Sequence, residues 1–472
     1  MFKNSVCFLI LLIFIFFCSA LVVFYNLFIF FLLILSCIVG FYLFRLKDIR
    51  LFLLIISLFS TIYLAFYFPF YGFILNFTSN YKNLLYAVGI RSLLISFFLF
   101  LIFFSKKIFK KNLLYFMTIF YLILEFLRSE NKIGGIIYLL NSFFPVFLFL
   151  IVLHFTAKYR FKGKYEYFKK NDSILILRIV FVVMLVVYII DLIYGFYFLQ
   201  LQEIFHPKYV LAIKHKGHPF EGLYHPSWFS IIGNNCYLRF LGIFPDAIKN
   251  GYFLALFFIL IFHTKLKPKI FKIYFSLFLL SSLVFTLCKG ALCLLVIYFV
   301  TYFLVKLNYI RRFSFYIVYI LIILFLLIIA SFYFPGSNTV HVLGLINALY
   351  FLSDSSILET LLGKGLGFGG NLAVIYTTSG NWIKAGAESG VGVVLTNLGL
   401  IGFCLYSFYF FSLWRILLKE NNKCSNMMVS LLLSLYVLSF LQEDLINSSI
   451  WSMFFLIITI SVYYKEIYNK TT

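Results

Sequence analysis

The sequence predicts an all-α polytopic membrane protein, and three observations support that fold class. Of 472 residues, 64% are hydrophobic and only 12% are charged, roughly half the charge of a water-soluble chain. The apolar residues fall in runs close to the ~20 residues that let a helix cross lipid with every backbone group paired internally. The basic residues collect in alternate loops, as they do when one face of a membrane retains them.

Taken in order, the runs place about 14 transmembrane helices, within a range of 12 to 14. Their cores are 5–24, 27–44, 51–69, 84–104, 112–127, 133–155, 174–199, 251–264, 271–288, 291–305, 313–334, 391–414, 426–442 and 448–464. Lys3 followed by an apolar run has the outline of a signal peptide, but no small-residue cleavage site leads into a soluble domain, so the run reads as the first span. No internal repeat or low-complexity linker divides the chain, and residues 1–472 read as a single integral membrane domain.

A net charge of +23, from 39 Lys and Arg against 16 Asp and Glu, would point to nucleic acid in a soluble protein. Here topology explains it. Arg45/Lys47/Arg50, Lys106 to Lys111, Lys158 to Lys170, Lys265 to Lys272, Lys306/Arg311/Arg312 and Arg415/Lys419/Lys423 alternate onto one face with Lys3, Lys465 and Lys470. That face holds 26 of the 39 basic residues, which makes both termini cytoplasmic and excludes nucleic acid as the partner. The same register puts the two longest polar interruptions, 200–250 and 335–390, outside. Eight cysteines include no C-x-x-C pair, so neither a disulfide framework nor a metal site is indicated.

Basic residues on the outer face run against the topological bias: Lys214-His215-Lys216, Arg239, Lys249, Lys289, Lys364 and Lys384. Each either snorkels to lipid headgroups or meets an anionic ligand, with Arg as a planar bidentate clamp. Arg239 stands apart. It lies in CYLRFLGIFPDAIKNG, where Gly242 and Pro245 break the segment and Asp246 suits the cap of a helix starting near Ala247. Lys289 lies between two apolar runs in TLCKGAL, with Gly290 allowing a tight reversal. Glu388 precedes a long apolar span by about one turn, where a carboxylate either caps the helix or accepts a proton from a hydroxyl.

Glu221, His225, Trp228 and His215 in the first loop form a polar and aromatic set suited to stacking on sugars. His215 and His218 have H-x-x-H spacing without Cys or carboxylate partners, and no metal is assigned to them. GLGFGG at Gly365 to Gly370 fits G-x-G-x-x-G literally, but no strand precedes it and no acidic partner follows, so it reads as a flexible or tightly turned loop rather than a nucleotide site. Arg91, Glu125, Arg178 and Asp191 lie inside spans and are expected to face the bundle interior or one another.

In layout and short motifs the whole chain resembles the O-antigen and capsular polysaccharide polymerases (Wzy type), and more distantly the O-antigen ligases. The elements are Arg239, Gly242 and Pro245 leading into a span, GKGLGFGG at Gly363 to Gly370, AESG at Ala387 to Gly390, and GLIG at Gly399 to Gly402. Two positions depart: Cys288-Lys289 stands where Ser-Arg usually opens a span, and His341 where an arginine often opens the second loop. The resemblance implies a multi-pass protein of the bacterial cytoplasmic (inner) membrane with two large periplasmic loops. It implies a glycosyltransferase that moves a growing glycan from undecaprenyl pyrophosphate to the non-reducing end of the next lipid-linked repeat unit. Arg239 and Lys289 would stabilise the departing pyrophosphate, and Glu388 would orient or deprotonate the acceptor hydroxyl. Lys214, His215, Glu221, His225, Trp228, His341 and Lys384 would hold substrate. No cofactor is required, because the donor carries its own leaving group; the partners implied are the lipid-linked oligosaccharide, membrane lipid, a chain-length regulator and a flippase.

Two alternatives remain. A ligase joining polymer to lipid A core would show a His-Asn pair in the second loop, which this chain lacks. A flippase or transporter for lipid-linked glycan would keep short loops and charged cavities through the membrane. The topology is checked with alkaline phosphatase fusions. Activity is expected after Lys216 and after Gly367 and none after Lys164 or Lys306; opposite compartments for Lys216 and Gly367 would end the idea of a shared outer face.

Overall fold

The computed structural model describes residues 112–160, 170–197, 229–232, 235–244, 246–264, 268–307, 337–371, 388–419 and 423–468, with isolated positions from 54 to 69 and at 200, 201 and 204. Of these, 84% are helical, which establishes the helical class. Helices Lys132–Lys158, Lys289–Lys306 and Gly390–Leu418 are long and apolar enough to cross a membrane, so the chain is a helical membrane protein. The spans expected at 5–24, 27–44, 84–104 and 313–334 lie outside the described residues.

In chain order the helices begin with α1, Leu113–Arg128, and α2, Lys132–Tyr138, which runs through a π turn at Leu139–Phe143 into α3, Phe144–Arg160. Next come α4, Lys170–Phe196, and a hairpin of β1, Phe229–Ile232, with β2, Asn235–Leu238. Then follow α5, Ala247–His263, α6, Lys269–Phe285, and α7, Lys289–Lys306. The set closes with α8, Ser337–Asp354, α9, Ile357–Leu362, α10, Gly390–Leu418, α11, Lys423–Ser439, a 3-10 turn at Glu443–Ile446, and α12, Ser448–Tyr468.

Local chemistry sets these boundaries. Asn112, Asp246 and Ser389 each place a side-chain oxygen on a first-turn N–H, and Ser356 with Glu359 forms a reciprocal capping box on α9. The π turn sits just before Pro145, which has no N–H to continue the ladder, and the Phe144 N–H reaches back five residues to the Leu139 carbonyl. The hairpin was not expected from the sequence. Its strands pair antiparallel from Phe229 opposite Leu238 to Ile232 opposite Asn235, separated in sequence by Gly233 and Asn234, residue types that favour tight reversal.

The reversal between α6 and α7 differs from the sequence expectation. Gly290 lies inside α7, and the turn is made by Thr286, Leu287 and Cys288, with Leu287 at φ +49. Thr286 Oγ1 donates to the Leu283 carbonyl at 2.6 Å and accepts the Cys288 N–H at 3.3 Å, and so takes the role assigned to glycine. The first half of the second long loop also proves helical, since α8 and α9 occupy it.

The chain divides into two compact units: Met1–Leu101, Glu166–Leu292 and Ser452–Thr472 form unit 1, and Ile102–Tyr165 with Cys293–Trp451 form unit 2. In unit 1, α5 is buried along nearly its whole length and lies against α6. The Tyr188 hydroxyl of α4 is 3.0 Å from Ser282 Oγ of α6, a polar tie of the kind that joins helices where lipid removes the hydrophobic drive between them.

Unit 2 is built around α10, which touches α1, α3, α8, α9 and α11. His154 of α3 bridges the Tyr115 hydroxyl on α1 at 2.5 Å and Ser412 Oγ on α10 at 2.6 Å. Gly399, at φ 60 and ψ −164, interrupts α10, and the Tyr121 hydroxyl donates to the Leu398 carbonyl beside the break. Glycine-rich residues 363–370 fold onto this interruption. Asn397 Oδ1 accepts the N–H groups of Gly367, Phe368 and Gly369 at 2.7, 3.0 and 3.4 Å, while Asn397 Nδ2 donates to the Gly369 and Val393 carbonyls. Arg128 donates to the Gly363 carbonyl and Ser129 to the Leu366 carbonyl. The segment is thus tightly turned, with the N–H groups a phosphate would need already taken. Asn397→Ala should leave three N–H groups without their acceptor and lower stability by at least about 2 kcal/mol, measured by thermal unfolding of the detergent-purified protein.

Candidate functional site

In unit 1, Arg239 follows β2 directly and is held from three directions. The Phe240 N–H donates to the Phe285 carbonyl at the end of α6 at 2.9 Å. Gly242 turns the chain at φ +58, where a Cβ would run into the carboxyl of Asp191. Fully buried Asp191 of α4 accepts the Ile243 N–H at 2.7 Å. Asp246 caps α5 as expected and also ion-pairs with Lys249.

This arrangement brings Arg239 close enough to Cys288 and Asp246 for them to act on its charge, and Lys289 is the exposed first residue of α7. Burial lowers the guanidinium pKa from the ordinary arginine value, opposed by Cys288 and Asp246. Arg239 Nε is buried without a hydrogen-bond partner among the described residues, an uncommon state for a buried donor. The N–H groups at the start of α7 add positive potential beside Lys289. Arg239 thus lies near the turn that leads into Lys289.

In unit 2, Glu388 stands at φ +68, just before Ser389 caps α10 by accepting the Gly392 N–H at 2.9 Å. Because Ser389 is the cap, the Glu388 carboxylate turns elsewhere. Asn371 Nδ2 donates to Glu388 Oε1 at 3.0 Å, and His341 Nδ1 of α8 lies 3.3 Å from Glu388 Oε2. His341 Nδ1 also donates to the Glu388 carbonyl at 2.9 Å. A carbonyl only accepts, so this bond puts a proton on His341 Nδ1. Both side chains remain partly open, 21% exposed for His341 and 30% for Glu388, so the pair can meet a substrate.

Behind the pair lies Glu443, in the 3-10 turn between α11 and α12. Its carboxylate accepts the Tyr138 hydroxyl at 2.6 Å, the Asn371 N–H at 3.0 and 2.9 Å, and the Glu388 N–H at 3.1 Å. Burial pushes this carboxyl up to about 7 against the pull of those donors, and the neighbouring Glu388 charge acts in the same sense as burial.

The structure thus joins His341 to Glu388, and it places Arg239 within electrostatic reach of Cys288, the residue before Lys289. Lys214, His215, Glu221, His225, Trp228 and Lys384 lie outside the described residues, as does the H-x-x-H pair. Of the other expected outer cations, Lys249 is held by Asp246, and Lys364 sits 3.7 Å from Glu359 and 4.9 Å from the centre of the Phe368 ring. Intramembrane Glu125 is buried against Arg128, Asp191 is buried beneath Gly242, and Arg178 is exposed. Glu443, Tyr138, Asn371 and Asn397 were not singled out from the sequence. The available signal was Glu443-Asp444, adjacent carboxylates in a short turn between two apolar runs of a chain with 16 acidic residues in all.

Comparison with family models, with curated proteins and with solved structures yields no match for this chain.

The raised Glu443 pKa has a definite consequence for stability. Its contribution is complete below about pH 4.5 and is lost as pH rises through about 7. The thermal midpoint of the wild-type protein should fall across that window and then level, and Glu443→Gln should flatten this component.

Proposed function

We propose that this chain is a polymerase of lipid-linked oligosaccharide repeat units, a polyprenyl-pyrophosphate-dependent glycosyltransferase of the cytoplasmic membrane with about 14 spans and both termini inside. The observation that carries the reading is the Glu388–His341 pair. It is a partly open carboxylate and imidazole, assembled from segments that the charge pattern puts outside. Residues 128–132, 363–371, 388 and 443–447 all fall on that side by sequence, and unit 2 gathers them at one place, which supports the topology.

In the proposed reaction an acceptor sugar hydroxyl attacks the anomeric carbon of the donor glycan. The bond from that carbon to the pyrophosphate oxygen breaks, and the electron pair leaves with the pyrophosphate. The hydroxyl proton passes to the Glu388–His341 pair, which suits general-base work because both side chains are partly open and His341 is oriented through Nδ1. Arg239 and Lys289 stabilise the charge growing on the leaving group, as preorganised cations do. The buried Nε of Arg239, without a partner among the described residues, supports that role.

The test is a gel of surface glycan from a deletion strain complemented with variants. Single repeat units on core indicate loss of a polymerase, absence of glycan on normal core indicates a ligase, and cytoplasmic accumulation indicates a flippase. Arg239→Ala should abolish polymer with the protein still in the membrane. Glu388→Gln and His341→Ala should each slow transfer by about 100-fold or more and leave single repeats. Wild-type ladders from all three variants would overturn the assignment.

A further inference from the structure

We propose that Glu443 is the positioning residue of the Glu388–His341 pair, holding the Glu388 peptide in the conformation that delivers its carboxylate to Asn371 and its carbonyl to His341. The proposal rests on the polymerase reading for what the pair does, and on geometry alone for how the pair is held.

The geometry is a two-sided clip. The Glu388 N–H donates to Glu443 Oε2 at 3.1 Å, and the Glu443 N–H donates to the Glu388 carbonyl at 3.1 Å. Between these bonds Glu388 stands at φ +68, a region unfavourable for a non-glycine residue and kept only where the surroundings over-determine it. The carbonyl so fixed is the one that receives His341 Nδ1. Rotation of this peptide to negative φ would carry away both acceptors that set the imidazole's orientation and tautomer.

One carboxylate also reaches two further segments, through the Asn371 N–H and the Tyr138 hydroxyl. Gly370, at φ +97, makes room for this approach, because a Cβ there would collide with the Tyr138 hydroxyl and lie 2.9 Å from Glu443 Oε1. The titratable groups around Glu443 are Tyr138 from α2, Glu388 from the entry to α10, His341 from α8 through Glu388, and Asp444 on its own turn.

Glutamine at 443 can keep one hydrogen bond to each partner. Its oxygen would take the two backbone N–H groups, and its amide nitrogen would donate to the Tyr138 oxygen. A positioning residue therefore tolerates glutamine, whereas a group that exchanges a proton with substrate does not. Aspartate keeps the charge and falls one methylene short of the bridge.

The experiment compares full-length wild type, Glu443→Gln, Glu443→Asp and Glu443→Ala in detergent by amide hydrogen exchange over peptides covering 366–371 and 388–392, and by glycan ladders in the deletion strain. Ala and Asp should speed exchange in both peptides by about tenfold, with Gln within about threefold of wild type. Gln should keep long polymer and Asp should not. Unchanged exchange in Asp, or in Ala where it accumulates, overturns the proposal, and so does a Gln variant that keeps wild-type exchange but makes no polymer. The polymerase reading fails separately, by wild-type ladders from Arg239→Ala, Glu388→Gln and His341→Ala together, and the exchange result still decides the clip.

Discussion

A carboxylate withdrawn from water needs donors around it or a proton on it, and the arrangement at one end of unit 2 answers to that need at Glu443. Its donors come from α2, from the residue after the glycine-rich segment and from the entry to α10. Three stretches far apart in the chain are thereby brought to one carboxyl. The conformation of Glu388, the position of Asn371 and the orientation of His341 follow from where those donors must point. The interaction is local in space and distant in sequence, which is why the candidate site has one geometry rather than several.

The same accounting governs the helix that supports the site. Gly399 interrupts α10, and a broken ladder in an apolar setting leaves carbonyls and N–H groups to be matched elsewhere. Tyr121 supplies a donor to Leu398, and Asn397 uses both ends of its amide on the folded glycine segment. The segment that resembles a nucleotide loop on paper is the complement of this interruption. Its glycines permit close approach to α10 and to Gly135, and its N–H groups face an amide oxygen instead of an anion.

Unit 1 poses the opposite electrostatic problem, a partly buried cation whose Nε has no described partner. Arg239 is positioned by its backbone: Phe240 is tied to α6, Ile243 to Asp191, and the turn between them passes through Gly242. Its Nε is left without a partner among the described residues, near Cys288 and Asp246. Lys249 and Lys364, equally conspicuous in the sequence, are engaged by Asp246 and by Glu359 and Phe368. Among these outer cations, internal pairing separates the ones that serve the fold from the one suited to an anionic ligand.

Composition and run length by themselves determined the helical membrane class, because a backbone in lipid has few ways to satisfy itself. Short-range chemistry was equally legible, as in Asp246 capping α5 and Gly242 turning the chain after Arg239. The tertiary structure decided what depends on partners remote in sequence. It showed that Ser389, not Glu388, caps α10, that Thr286 takes the reversal expected of Gly290, and that Glu388 meets His341 across 47 positions. Glu443 was invisible for the same reason. A carboxylate in a short turn looks solvated until the donors that surround it are seen, and those come from residues 72 and 305 positions away.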